Sequence, residues 1–305
     1  MLSLMDYQTN EIRYILEVSL HMKKEFLAGK RYWGTHPNRQ LALLFEKPST
    51  RTRVAFEAAA SQLGMNSIYL PKKDSQLSRG EPVKDTARVL SRYVDVVAAR
   101  VLKHETLIEL DKYFDGPVIN ALSDKFHPTQ AIADAMTIYE YFGKIDGIRV
   151  AFVGDGKDNV LQSLLLALSS LGAHINVVTA EGYEPYDEVL LDSLERAKKT
   201  GGSVEIIYDP CKGVENAHVI YTDVWVSMGF EGEREKRLND LKAYQVNHKL
   251  IKCINHNNFI IMHCLPAIRG EEITEDVLES DKSVVWDQAE NKLHAQRAIL
   301  ALLTP

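Results

Sequence analysis

The chain has 305 residues, 45% hydrophobic and 26% charged, and a formal net charge of −6. This length suits one large domain or, better, two medium ones, and the composition is that of a globular protein. The acidic balance speaks against a nucleic-acid partner, and no apolar run reaches the 18 residues a membrane-spanning helix needs. The start, Met1-Leu2-Ser3-Leu4-Met5-Asp6-Tyr7, lacks the basic residues and long apolar core of a signal peptide. Cys211, Cys253 and Cys264 show no CxxC spacing and no disulfide framework, which fits a reducing compartment. These features predict a cytoplasmic protein.

Apolar runs alternate with amphipathic stretches along the chain. In order, the predicted strands are Leu41–Phe45, Ser67–Leu70, Val96–Arg100, Val118–Asn120, Arg149–Val153, Asn176–Thr179, Val204–Tyr208, Val219–Tyr221, Asn258–Met262 and Val284–Trp286. Helical patterns such as Val160–Leu171 and Asp187–Lys199 lie between them. That is the rhythm of parallel sheets with crossover helices. A long helix over Pro128–Phe142 runs into Gly143 and a fresh strand follows. The expectation is an α/β protein of two domains, each a mostly parallel sheet flanked by helices. The first covers residues 1–143 and the second 144–288, and a helix near 289–305 packs back on the first. The active site is expected in the cleft between them, at the strand C-terminal ends.

Five constellations carry chemistry. The first is Glu46-Lys47-Pro48-Ser49-Thr50-Arg51-Thr52-Arg53, between a predicted strand and a predicted helix. Ser49 to Arg53 offer three hydroxyls and two guanidiniums beside the free N–H groups of a helix start. Two arginines in a first turn oppose the helix dipole unless an anion neutralises them. A phosphate-sized dianion is the natural occupant. The plain alternative is a capping hydroxyl with solvated arginines.

The second is His127-Pro128-Thr129-Gln130. Pro128 suits the first helical position and puts His127 at the cap, where the dipole favours a neutral imidazole that can donate to a carbonyl oxygen. The third, Gly154-Asp155-Gly156-Lys157-Asp158-Asn159, follows a strand and tempts a dinucleotide reading. Asn159 stands where the third glycine should be, so a small-ligand loop is the better reading.

The fourth, Asp223-Val224-Trp225-Val226-Ser227-Met228-Gly229, could grip the ammonium and carboxylate of an amino acid, or be an ordinary loop with a capping Asp. The fifth, His263-Cys264-Leu265-Pro266, ends a buried strand. Pro266 invites a cis bond or forced turn. A nucleophilic Cys264 with His263 as base is awkward, since adjacent strand residues face opposite ways. A zinc site lacks a completing ligand, and an inert buried cysteine is the plain reading.

In this order and over nearly the whole chain, these motifs resemble the aspartate/ornithine carbamoyltransferase family. Ser49-Thr-Arg-Thr-Arg53, His127-Pro-Thr-Gln130 and His263-Cys-Leu-Pro266 look like its signatures, and Asp223 to Gly229 resembles its ornithine-binding segment. Gln76 to Pro82 and Asp85 to Asp95 are also similar to ornithine enzymes.

The resemblance implies that carbamoyl phosphate and L-ornithine give L-citrulline and phosphate, in arginine metabolism, with no metal or organic cofactor. It implies that Ser49, Thr50, Arg51, Thr52 and Arg53 hold the phosphate, and that Thr52, Arg100 and His127 surround the carbonyl oxygen, with Gln130 near the carbamoyl nitrogen. Cys264 and the Leu265 backbone would contact the carbamoyl and amine end. Asn159, or its neighbour Asp158, would bind ornithine with Asp223, Ser227 and Met228. Gln76 would reach a neighbouring subunit's site in a homotrimer or an assembly of trimers. The family's Arg after Ala-Glu-Asn is here Lys292, which keeps the charge but not the planar fork. The alternatives are transfer to putrescine or N-acetylornithine, and a binding protein without catalysis.

Overall fold

The computed structural model describes residues 1–227 and 229–305. The first half contains α1 (Thr9–Leu27), β1 (Gln40–Phe45), α2 (Arg51–Leu63), β2 (Asn66–Pro71), α3 (Val83–Leu90), β3 (Val96–Arg100), α4 (His104–Tyr113), β4 (Val118–Leu122) and α5 (Pro128–Phe142). The second contains β5 (Arg149–Val153), α6 (Asn159–Ser170), β6 (His174–Val178), α7 (Asp187–Thr200), β7 (Ser203–Ile207), α8 (Pro210–Val214), β8 (Val219–Thr222), α9 (Arg234–Asp240), α10 (His248–Ile251), β9 (Ile260–His263), α11 (Glu275–Leu278) and α12 (Val285–Leu303). Short 3₁₀ turns complete the connections.

Two sheets result, ordered β2-β1-β3-β4 and β7-β6-β5-β8-β9, and their paired strands run parallel. The central strands β1, β3, β5 and β8 are mainly apolar and buried because both of their faces are covered, whereas the edge strands β2 and β7 carry exposed polar residues. In β1, Leu41, Leu43 and Phe45 face one apolar cluster while Ala42 and Leu44 face another. In β5, Val150 and Phe152 divide from Ala151 and Val153 in the same way. One cluster runs through both halves of the molecule, joined by α5, whose Ala131, Ile132, Ala135, Met136 and Ile138 are all buried. Helix α5 packs on α6 and on α12, and α12 packs also on α1 and α2.

Two expectations need correction. Val284–Trp286 is not a tenth strand. Only Ser283 bridges to Ile261 of β9, and the chain then enters α12, burying Val284 and Val285 and exposing Trp286. A three-residue apolar run reads equally well as either element, and the helical continuation to Leu303 decides. Cys211 and Cys253 form a disulfide, 42 residues apart in sequence. Helices α8 and α10 pack together and bring the two Cα atoms to 5.3 Å, a proximity that sequence spacing does not encode. Cysteine spacing therefore gives no indication of a reducing compartment. Among the described residues, no helix is long and apolar enough to cross a membrane.

Candidate active site

Loops at the C-terminal ends of β1, β3, β4, β5, β8 and β9, with the start of α5 and a side chain from α12, enclose a cavity of about 460 Å³. Lining it are Ser49, Thr50, Arg51, Thr52, Arg100, His127, Gln130, Asn159, Asp223, Ser227, Cys264, Leu265 and Lys292. Asp158 lines it too. Two sequence expectations fall elsewhere, and Met228 lies outside the described residues. Gln76 is exposed on a 3₁₀ turn away from the cavity. Arg53 is absent from the lining; its Nε donates to Glu57 at 2.9 Å and its guanidinium lies 3.5 Å from the Tyr69 ring centroid. Residues two apart on a helix face nearly opposite ways, so Arg51 and Arg53 do not converge on one ligand.

One pole of the cavity is cationic. Helix α2 begins there with no side-chain cap, leaving its first N–H groups uncovered beside Arg51 and the buried Thr52. Arg100 ends β3, where the register with β4 shifts and redirects the strand end. Its Nε is buried with no hydrogen-bond partner. Burial lowers the Arg100 pKa, with Cys264 opposing and Arg51 adding to that shift. His127 caps α5 with Pro128 after it, and its own backbone N–H donates to Ser163 Oγ at 2.8 Å. Burial, with the cations Lys292 and Arg100, drives the His127 imidazole well below its usual range, so the ring is neutral. The Thr129 hydroxyl lies 3.4 Å from Nδ1; donation there leaves Nε2–H as the ring's donor.

Both ends of the Gln130 amide are engaged. Its Nε2 donates to Asp134 Oδ1 at 2.7 Å, and its Oε1 accepts from Lys292 Nζ at 2.6 Å. Asp134 also accepts from Tyr221 Oη at 3.0 Å and from Gln288 Nε2 at 2.7 Å, and Gln288 Oε1 accepts the backbone N–H of His263. This buried relay ties α5, β8, β9 and α12 behind the cavity. Sequence reasoning missed it. The Gln130–Asp134 step has helical i,i+4 spacing that a pattern search finds, but Tyr221 and Gln288 carry no local signal.

The other pole is anionic. Asp223 Oδ1 accepts the Val224 N–H at 2.7 Å, and Oδ2 accepts the Cys264 thiol at 2.8 Å. Burial raises the Asp223 carboxyl, against the pull of His263 and Cys264. Burial and Asp223 push the Cys264 thiol well up, which holds it protonated. His263 does not serve it as a base: its Nδ1 accepts the Leu265 N–H at 2.9 Å and its Nε2 lies 3.0 Å from Glu272. Ligand atoms of Asp223, His263 and Cys264 lie within 4.8 Å of one another, and the hydrogen bonds above occupy them. The Leu265–Pro266 bond is cis. Asn159 Nδ2 donates to Ser123 O at 2.7 Å.

The glycine turn has a packing explanation. A Cβ on Gly156 would sit 2.1 Å from the Tyr183 carbonyl oxygen, and Asp155 pairs with the buried Arg237. Close chain approach, rather than a pyrophosphate, accounts for the second glycine.

An α/β cleft with hydroxyls, arginines and a helix start at one end and buried carboxylates at the other fits a group transferase between an anionic donor and a cationic acceptor. Models for the two domains of aspartate/ornithine carbamoyltransferases match this chain, the carbamoyl-P binding domain over residues 1–140 and the Asp/Orn binding domain over residues 146–303. The chain belongs to the aspartate/ornithine carbamoyltransferase family. It is 66% identical over 305 residues to the ornithine carbamoyltransferase of Ignicoccus hospitalis, covering 100% of this chain and 98% of that one. The anabolic ornithine carbamoyltransferase of Pyrococcus furiosus is 51% identical over 303 residues, covering 99% and 95%. The solved ornithine carbamoyltransferase from Pyrococcus furiosus matches the fold with a TM-score of 0.94 at 51% identity, covering 100% of this chain and 96% of that one.

Proposed function

We propose that this protein transfers the carbamoyl group of carbamoyl phosphate to the side-chain amine of L-ornithine, giving L-citrulline and phosphate. The observation that carries this reading is the two-pole cavity, which offers Arg51, Arg100 and an uncapped helix start to an anion and Asp223 with Asp158 to a cation. Full-length similarity to ornithine carbamoyltransferases supports the acceptor.

In this reading Ser49, Thr50, Arg51 and Thr52 hold the phosphate. The amine lone pair attacks the carbonyl carbon, the C–O bond to phosphate breaks with its electrons leaving on phosphate, and the departing phosphate takes the amine proton. Deprotonating an amine of pKa ~10.4 at neutral pH costs roughly 4–5 kcal/mol, and a desolvated site lowers that cost. The carbonyl oxygen gains negative charge in the tetrahedral intermediate. Arg100, Thr52 and the neutral His127 act as its donors, each on the scale of ~2.7–4 kcal/mol. Gln130 and Leu265 orient the carbamoyl group, Cys264 and Asp223 receive the reacting amine, and Asn159, Ser227 and Met228 bind the rest of ornithine.

Residues 1–143 with 289–305 form the donor-binding unit, and 144–288 the acceptor-binding unit. The protein works in the cytoplasm, in the biosynthetic direction, as a homotrimer or an assembly of trimers. Gln76 of one subunit reaches a neighbour's site, which its exposure on a 3₁₀ turn supports.

The direct experiment is a product assay with carbamoyl phosphate and a panel of amines. Citrulline from ornithine is the expected result. Product only with putrescine or N-acetylornithine would replace the acceptor, and no product with any amine would point to a binding protein.

A further inference from the structure

Asp134 is a buried carboxylate to which the proposed reaction gives no part. It is 0% exposed and lies behind the cavity wall, whereas Gln130, one turn earlier on α5, lines the cavity. Three donors converge on it. Gln130 Nε2 and Gln288 Nε2 each reach Oδ1 at 2.7 Å, and the Tyr221 hydroxyl reaches Oδ2 at 3.0 Å. Burial raises the Asp134 pKa to about 6, with those hydrogen bonds and Lys292 opposing, so the group is mainly ionised at neutral pH.

A buried charge is costly, and neutral groups could tie these elements together without one. What an ionised carboxylate adds is one-sidedness. It only accepts hydrogen bonds, whereas Ser, Asn or Gln in its place could donate as well. The two ends of a Gln amide have nearly the same shape, so its partners decide which end points where. Asp134 requires the NH2 end of Gln130. Lys292, which only donates, takes the oxygen end at 2.6 Å. Lys292 lines the cavity with Gln130, so this pair of partners turns Oε1 to the ligand side. That oxygen keeps a second lone pair. Carbamoyl phosphate differs from other acyl phosphates in the NH2 on its carbonyl carbon, a group that needs an acceptor.

We propose that Asp134 is a positioning residue for the donor: it holds the Gln130 amide with Oε1 toward the donor's NH2, and so lets the site tell carbamoyl phosphate from an acyl phosphate that lacks that group. This rests on the donor reading above. Asp134 touches no substrate atom and acts only through Gln130.

The test compares carbamoyl phosphate with acetyl phosphate, in which a methyl group replaces the NH2. Calorimetry without acceptor reads both dissociation constants. In Asp134→Ala nothing fixes the amide, and the preference for carbamoyl phosphate should fall at least about tenfold, the scale of a buried hydrogen bond lost with its partner left unpaired. Tyr221→Phe takes one donor from Asp134 but leaves its bond to Gln130, so the preference should stay within about twofold of wild type. An unchanged preference in Asp134→Ala overturns the proposal. So does an equal fall in both variants, which would mark a relay that only supports the fold. A wild type that binds neither acyl phosphate defeats the donor reading itself, whereas a wild type that prefers carbamoyl phosphate, with an Asp134→Ala variant that keeps the preference, defeats only the role of Asp134. Should Asp134→Ala fail to fold, Asp134→Asn, which keeps the shape and can present either a donor or an acceptor to Gln130, carries the same comparison.

Discussion

Lys292 Nζ donates to Gln130 Oε1 at 2.6 Å, joining α12 to the first turn of α5 inside the cavity wall. Lys292 stands where the family pattern has Arg, is 4% exposed, and forms no salt bridge among the described residues. Burial lowers its pKa from 10.5 to about 8, with Arg51 and Arg100 adding to the fall and Cys264 and Asp134 opposing it. Lys292 is thus a buried cation beside two others, and an anionic donor would stabilise its charged form.

Donor binding should therefore depend on pH. Carbamoyl phosphate favours the ammonium form, which is full below about pH 8 and lost above it. In calorimetry without acceptor, donor affinity should fall by up to about tenfold per pH unit above that point. Lys292→Arg keeps its charge over the range and should flatten this limb. An identical limb in the variant would assign it to another group.

Arg100 brings an unpartnered buried Nε to the donor pole. Arg100→Ala should lower kcat by about 10²-fold or more, the scale of a lost oxyanion donor. Near-normal turnover in folded variant would remove Arg100 from the chemistry.

Asp223 sits at the acceptor pole, hydrogen-bonded to Cys264. Asp223→Asn should raise the KM for ornithine more than the KM for carbamoyl phosphate. Steady-state kinetics with each substrate varied tells these apart, and equal changes in both would contradict the assignment.

Arg53 tests the geometry of the phosphate loop. Because it is turned toward Glu57 and Tyr69, Arg53→Ala should change kcat/KM by no more than about two- to threefold, as for an ordinary surface position. Arg51→Ala should abolish most activity in the same assay. Comparable losses in both would return Arg53 to the site.

The disulfide closes a loop of 42 residues that holds β8 and the Asp223 to Gly229 segment. Replacing Cys211 and Cys253 by Ser should reduce the unfolding free energy by about 2–4 kcal/mol. Denaturant unfolding with and without reductant reads this directly. Midpoints that do not move with either change would mean that the bond adds no stability.

Much of the molecule was legible in its residues. The strands of both sheets follow from short apolar runs spaced by helical patterns, because the periods of 2 and 3.6 are local properties. Helix α5 matches its predicted span, Pro128–Phe142, since a proline at its first position and a left-handed Gly143 at its end mark both limits. The ordered motifs pointed to most of the cavity's lining, because each lies just past the end of a strand.

The sequence by itself determined the alternating architecture and the residue types of both poles, since those depend on neighbours a few positions apart. Only the tertiary structure decided which side chains converge. It turned Arg53 away, joined Cys211 to Cys253, paired Lys292 with Gln130, and built the relay from Asp134 to Tyr221 and Gln288 across 87 and 154 residues. Such contacts are fixed by how helices and sheets pack, and no local periodicity encodes a distance between positions so far apart in the chain.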